Sequence, residues 1–295
     1  MAEAIGIIGL GLVGSALAEL LLARGDAVIG CDIDPARNAA LAAKGGEAVS
    51  TPADVAARCD RILLALMTTA IVRQVVEGED GILSAARRPS CILDTTTGDP
   101  DETAALAGRL AGQGVAYLDA TISGSSAQIR RREGTFMVGG APESFARHRD
   151  LLAVFSDRVY HLGPAGSGSR AKLASNLVLG LNRLVLAEGL VFAERLGLDL
   201  PAYSAAMDVK GRQMIAGDFT PVARLRQHLK DVELILEYAR QAGQELPLSD
   251  VHRDLLGHAV AAGDGDLDNA AVIRELRRRG SGGVDMSGTG PHGRQ

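Results

Sequence analysis

A short apolar run, Ile5-Gly6-Ile7-Ile8, leads straight into Gly9-Leu10-Gly11-Leu12-Val13-Gly14-Ser15. Glycines in the order G-x-G-x-x-G at the exit of a strand permit few structures. The first allows a tight turn, the second lets the backbone approach a pyrophosphate, and the third lets the next helix pack close to the sheet. A helix starting there aims its unpaired N–H groups and positive dipole end at the phosphates. Residues 9–14 are therefore expected to cradle a dinucleotide.

The flanking residues support this. Ser15 to Arg24 carries Leu17, Leu20, Leu21 and Leu22 in helical spacing, and Gly25 closes that helix at its C′ position. A second strand, Ala27 to Cys31, ends at Asp32. The carboxylate thus lies at about the 20-residue spacing at which it accepts hydrogen bonds from the adenosine ribose hydroxyls. It would repel a 2′-phosphate, and the nearest arginine, Arg37, lies beyond Asp34 and Pro35, where it is expected to face solvent. NAD is favoured over NADP.

Two domains fit comfortably in 295 residues. A net charge of −5 and the absence of Trp give no basic field or stacking platform for nucleic acid. No apolar run approaches membrane-spanning length, and no basic leader is expected at the N-terminus. Cys31, Cys59 and Cys91 all fall in or beside predicted strands, and an odd number of buried thiols implies a reduced, cytoplasmic setting. The six histidines show no metal-ligand spacing, so no metal is expected.

Strand and helix patterns alternate up to Leu162: strands at 61–66, 91–94, 116–119, 135–138 and 158–162, with helices at 71–76 and 101–113. Such alternation predicts an α/β Rossmann domain, a doubly wound, mostly parallel sheet, over residues 1–162. The segment Gly163 to Ser169 marks a change of character. After it a long apolar-rich helix, about 170–196, opens an all-α domain, 163–280, with helices at 225–242, 250–262 and 267–278. Little helix is expected between Leu200 and Met207. The Gly-rich stretch 281–295 is expected to be a disordered tail. A helical domain on one long interdomain helix suits a substrate lid and an oligomer interface, so a homodimer or larger homo-oligomer is expected.

Lys172 is the candidate for proton transfer. With Ser169 as N-cap it falls at N3, where the helix dipole and interdomain burial both disfavour a protonated amine. A lysine tuned toward neutrality is a general base for a substrate hydroxyl and, protonated, the acid for the reverse reaction. Asn176 lies one turn on, placed to hold a substrate oxygen or orient the amine.

Together, the glycine turn and this lysine make the chain resemble the β-hydroxyacid dehydrogenases along nearly its whole length. The resemblance implies further roles. Asp94-Thr95-Thr96-Thr97 is similar to the family's strand end whose threonine, here Thr97, contacts the nicotinamide side. Leu66 and Met67 match a dipeptide packed along the cofactor. Asp119-Ala120-Thr121-Ile122-Ser123-Gly124-Ser125 resembles the substrate loop, in which Ser123 and the Gly124 N–H hold the substrate carboxylate. Lys172 matches the catalytic lysine, Asn176 the second Asn of K-x-x-N-N, and Lys230-Asp231 a K-D pair whose lysine reaches toward cofactor and substrate. Departures are Val13 for Met, Thr121 for the loop Pro, Ser125 for the second Gly and Ser175 for the first Asn. Arg130-Arg131-Arg132 and Arg212 are candidates for a second anionic group on the substrate, although a solvated charge run is the favoured reading of the triplet.

The expected activity is NAD-dependent interconversion of a small 3-hydroxy acid and its semialdehyde or oxo acid, on a carboxylate-bearing substrate. An NADPH-dependent semialdehyde or imine reductase of the same fold, or a non-catalytic NAD-binding module, is the alternative.

Overall fold

The computed structural model describes residues 4–195, 197–205, 209–243 and 245–281. The chain forms two compact units, Met1–Ser175 and Asn176–Gln295. The expected tail lies outside the described residues from 282 onward.

The first unit runs β1 (Ile5–Ile8), α1 (Leu12–Arg24), β2 (Val28–Cys31), α2 (Pro35–Ala43), β3 (Glu47–Ala48), α3 (Pro52–Arg58), β4 (Arg61–Leu64), α4 (Thr69–Glu77), β5 (Cys91–Asp94), α5 (Pro100–Ala111), β6 (Ala116–Ser123), α6 (Ser126–Arg130), β7 (Thr135–Gly139), α7 (Pro142–Phe155) and β8 (Val159–Gly163). Side chains define many of these helix starts. Asp34 caps α2 ahead of Pro35, and Thr51 and Asp54 form a reciprocal box on α3. Asp99 caps α5 ahead of Pro100, and Ser125 and Gln128 form a second box on α6.

The strands form one sheet in the order β3-β2-β1-β4-β5-β6-β7-β8. It is parallel up to β6, which pairs antiparallel with β7, and β7 and β8 are parallel to each other. The chain steps outward from β1 and then crosses back to β4, opening a crevice at the strands' carboxyl ends. Ile7, Leu63, Leu93 and Leu118 face the core under α1, α6 and α7, while Ile8, Ile62, Ile92 and Tyr117 face the core under α3 and α5. All three cysteines are buried.

Several boundaries differ from the sequence expectation. α1 begins at Leu12, directly after the second glycine, and β6 continues through Ser123 because β7 folds back beside it in register, Ser123 opposite Thr135. The long helix α8 (Ser167–Arg195) starts before Ser169.

The second unit continues α8 and adds α9 (Leu200–Ala205), α10 (Val209–Ala216), α11 (Leu225–Gln241), α12 (Pro247–Ala259) and α13 (Val272–Ser281). Residues 200–205 are thus helical, contrary to expectation, and Asp199 accepts from the Ala202 N–H at their start. The helix expected over 250–262 ends at Ala259 and passes into a wider turn, Val260–Asp264, which Gly263 leaves at φ +90°. Leu184, Leu190, Leu225, Val232, Leu256 and Ile273 anchor the core of this unit. Among the described residues no helix is long and apolar enough to cross a membrane.

Candidate active site

The glycine turn has the geometry its sequence implies. Gly9 sits at φ +89°, and a Cβ there would lie 2.5 Å from the Ala65 carbonyl oxygen. A Cβ on Gly14 would lie 1.8 Å from the Gly9 oxygen, so α1 can cross the turn this closely only with glycine. Gly11 is different. It is the N-cap of α1, and a Cβ there would meet only the Arg37 guanidinium, at 3.7 Å. The protein itself does not require glycine at 11; a ligand approaching the backbone would. Leu10 is buried, Val13 packs partly on the core, and Leu12 is exposed at the mouth of α1. These residues fit a dinucleotide pyrophosphate.

Asp32, just past β2, is fixed from several sides. Its Oδ2 accepts the Leu10 N–H at 2.7 Å and its Oδ1 the Asp34 N–H at 2.9 Å. The Asn38 side chain clasps the Asp32 backbone through two 2.8 Å hydrogen bonds. Arg37, expected to face solvent, reaches back instead and places Nη1 3.2 Å from Asp32 Oδ2.

The ends of β4 and β5 are joined by threonines. Thr95 Oγ1 donates to the Leu64 carbonyl at 2.7 Å, and the Leu66 N–H donates to Thr96 Oγ1 at 3.2 Å. Beneath them the Asp94 carboxylate is buried, receiving the Thr96 N–H at 2.9 Å and the Tyr117 hydroxyl at 2.5 Å. Burial pushes Asp94 up to about 6 against those hydrogen bonds, and it drives the Tyr117 phenol well above its ordinary value. Thr97 is half-buried at the end of this turn, and Met67 is exposed beyond Leu66.

The β6 end carries the candidate substrate loop. Ser123 closes the strand, and Gly124 follows at φ +146°, a conformation that favours glycine. Ser125, the departure from the family's second glycine, caps α6 by a side-chain hydrogen bond to Gln128 N–H. Thr121, the departure from proline, donates its hydroxyl to the Gly168 carbonyl at 2.9 Å. Asp119 receives the Gly166 N–H on Oδ1 at 2.9 Å and the Ser169 N–H on Oδ2 at 2.8 Å, and burial raises its pKa against those bonds. The first turn of α8 is therefore capped by a carboxylate from the sheet, not by Ser169. Lys172 is half-buried in the second turn instead of at N3. The dipole effect fades beyond the first turn, and Asp119 stands at that end, so the dipole argument for a neutral lysine loses most of its force.

In the second unit, Asn176 is buried and donates Nδ2 to Asp231 Oδ2 at 3.1 Å. Lys230 pairs with Asp231 Oδ1 at 3.0 Å. One N–H of the Asn176 amide is thereby committed, and an amide oxygen can serve only as an acceptor. Of the arginine candidates, Arg130 pairs with Glu19, Arg131 with Glu133 and Arg132 with Asp157, in keeping with a solvated charge run. The Arg212 side chain lies outside the described residues. Sequence reasoning gave no role to Asp94, Asp119 or Asn38. Acidic residues at the last positions of apolar strands were the available signal for the first two.

The chain is similar to known proteins over most of its length. A family model described as the NAD binding domain of 6-phosphogluconate dehydrogenase matches residues 4–163. A second, described as the NAD-binding of NADP-dependent 3-hydroxyisobutyrate dehydrogenase, matches 166–276. The chain is 32% identical over 285 residues to L-threonate dehydrogenase of Cupriavidus necator, covering 93% of this chain and 96% of that one. It is 30% identical over 284 residues to 2-hydroxy-3-oxopropionate reductase of Escherichia coli, covering 92% and 96%. A solved 3-hydroxyisobutyrate dehydrogenase from Salmonella typhimurium superposes with a TM-score of 0.85 at 26% identity, over 92% of this chain and 99% of that one.

Proposed function

Because the chain belongs to the β-hydroxyacid dehydrogenase family, we propose that it interconverts a small 3-hydroxy acid and its semialdehyde or oxo acid, with NAD as the preferred partner. Its domains are NAD(P)-binding. The preference for NAD is our reading of Asp32, whose carboxylate suits ribose hydroxyls and repels a 2′-phosphate. The observation that carries the proposal is the tie between two pieces of chemistry. The strand that ends in Ser123 is bound through Asp119 and Thr121 to the first turn of the helix that bears Lys172.

Gly9, Leu10, Gly11, Leu12, Val13 and Gly14 would hold the pyrophosphate, Asp32 the ribose, and Leu66, Met67 and Thr97 the nicotinamide half. When bound, the dinucleotide supplies the two-electron acceptor; the protein supplies position and proton transfer. Ser123 and the Gly124 N–H receive the substrate carboxylate. Lys172 takes the proton from the 3-hydroxyl and returns it in the reverse direction. Asn176, one turn along the same helix, offers Oδ1 as an acceptor to the substrate hydroxyl or the amine. The role of Lys230 toward the cofactor rests on the family resemblance. Val178, Leu179 and Val185 leave apolar surface exposed along α8, which supports a homodimer or larger homo-oligomer.

The test is absorbance at 340 nm with NAD or NADP against 3-hydroxyisobutyrate, 3-hydroxypropionate, glycerate, threonate and serine. Turnover of one of these, lost in Lys172→Ala with dinucleotide binding retained, is the expected result. Equal turnover in the variant would overturn the role of Lys172 as the general acid–base.

A further inference from the structure

The Asp32 carboxylate is covered. Its side chain is 4% exposed, while the Arg37 side chain lying over it is 46% exposed. Each oxygen already holds a backbone N–H, from Leu10 on Oδ2 and from Asp34 on Oδ1. The remaining lone pairs face the guanidinium, whose Nη1 stands 3.2 Å from Oδ2 and 3.5 Å from Oδ1. Arg37 Nε lies a further 3.5 Å from Asp34 Oδ2, and Nη1 also borders the open side of Gly11. The guanidinium therefore spans the gap between the glycine turn and the end of β2. A ribose must enter that gap for its hydroxyls to reach Asp32.

We propose that Arg37 sets cofactor discrimination in this chain, as a cover that NAD must displace and that a 2′-phosphate can engage. This rests on the dinucleotide reading of the glycine turn. NAD needs both carboxylate oxygens, so Arg37 competes with the ribose. The competition is weak, because a half-exposed ion pair contributes little and its side chain is long enough to swing clear. A 2′-phosphate meets the opposite balance. Asp32 repels it, but the planar fork of Arg37 offers parallel charge-assisted hydrogen bonds beside it. The site binds NAD more tightly than NADP, yet accepts both, and a single side chain acts on the two with opposite sign. Asn38 keeps the backbone of Asp32 in place while Arg37 moves, since its two hydrogen bonds go to the main chain.

The test is calorimetric titration of the full chain with ADP-ribose and with 2′-phospho-ADP-ribose, neither of which carries a nicotinamide or turns over. Wild-type protein should bind both, ADP-ribose more tightly. In Arg37→Gln, 2′-phospho-ADP-ribose should weaken by about tenfold or more, the loss expected for a charge-assisted hydrogen bond. ADP-ribose should tighten by roughly threefold, as removal of a weak surface ion pair implies. Arg37→Lys, which keeps the charge without the fork, should fall between wild type and Arg37→Gln for the phosphorylated ligand. A change of the same sign and size for both ligands, or a wild type that binds ADP-ribose but shows no heat with its 2′-phosphate, overturns the proposal and leaves the dinucleotide reading standing. Absence of binding by either ligand overturns both.

Discussion

Asp94 and Asp119 are register partners across β5 and β6, two buried carboxylates side by side at the carboxyl edge of the sheet. Each is stabilised differently. Asp94 holds the threonine turn through Thr96 and Tyr117, and Asp119 holds the first turn of α8. Residues alternate faces along a strand, so register partners point the same way, and the negative charge of Asp119 helps to raise Asp94.

Burial of Asp94, with the charge of Asp119 a smaller contribution, gives the first unit a pH signature. Folding raises the Asp94 pKa from 3.8 to about 6, so folding takes up a proton. The stability from this group is whole below about pH 4 and is lost as the pH rises through about 6. Each tenfold gain in proton affinity is worth about 1.4 kcal/mol, so the whole change amounts to at most roughly 3 kcal/mol. Asp94→Asn should flatten this part of the Tm-against-pH curve between about pH 4 and 6. A parallel curve would contradict it.

The second unit should respond in the opposite sense. His252 is buried next to His228, ring centroids 5.1 Å apart, and burial, with the charge of Arg183 adding to it, depresses its pKa from 6.5 to about 4. A buried neutral histidine contributes stability above about pH 6.5 that is lost as the pH falls toward 4. Denaturant unfolding at pH 7, 5.5 and 4.5 should show His252→Leu losing less stability on acidification than wild type.

Asp119→Ala would leave the Gly166 and Ser169 N–H groups buried without their acceptor. A cost of about 2–4 kcal/mol is expected from two such groups. Under the proposed mechanism kcat should fall while dinucleotide affinity changes little, because the glycine turn is untouched. Asp119→Asn, which keeps the shape and an acceptor oxygen, should recover part of both. Steady-state kinetics beside a thermal melt would separate the effects.

Gly14→Ala places a methyl group 1.8 Å from the Gly9 carbonyl oxygen. The turn must open to admit it, at a cost of roughly 3 kcal/mol. Binding of NADH, followed by its own fluorescence, should be lost before the fold is. Gly25→Ala is the comparison: it has open space but sits at φ +91°, so it should cost stability and spare binding.

Much of the first unit could be read from local pattern. Ile5 to Ile8 and Cys91 to Asp94 are apolar runs that the sheet buries on both faces, and Gly9, Gly11 and Gly14 have a spacing few structures share. What escaped was decided by distant partners. Ser169 looks like a cap because serine accepts locally, but Asp119, far back in the chain, takes its N–H and moves the start of α8. Arg37 resembles any exposed helix residue until the fold brings Asp32 beneath it. The direction of β7 carries no local signature, because an apolar strand reads alike either way. Residues 200–205 show no clear apolar periodicity in the sequence, and the Asp199 side chain that accepts the Ala202 N–H is the local signal for their helix.

The 29 residues of α8 extend about 44 Å at 1.5 Å each. Its first turn is held by Asp119 and Thr121 of β6. Lys172 stands about 7.5 Å along the axis from Ser167, a turn and a half into the helix. The Lys172 backbone therefore takes its position from the sheet that holds the start of its helix.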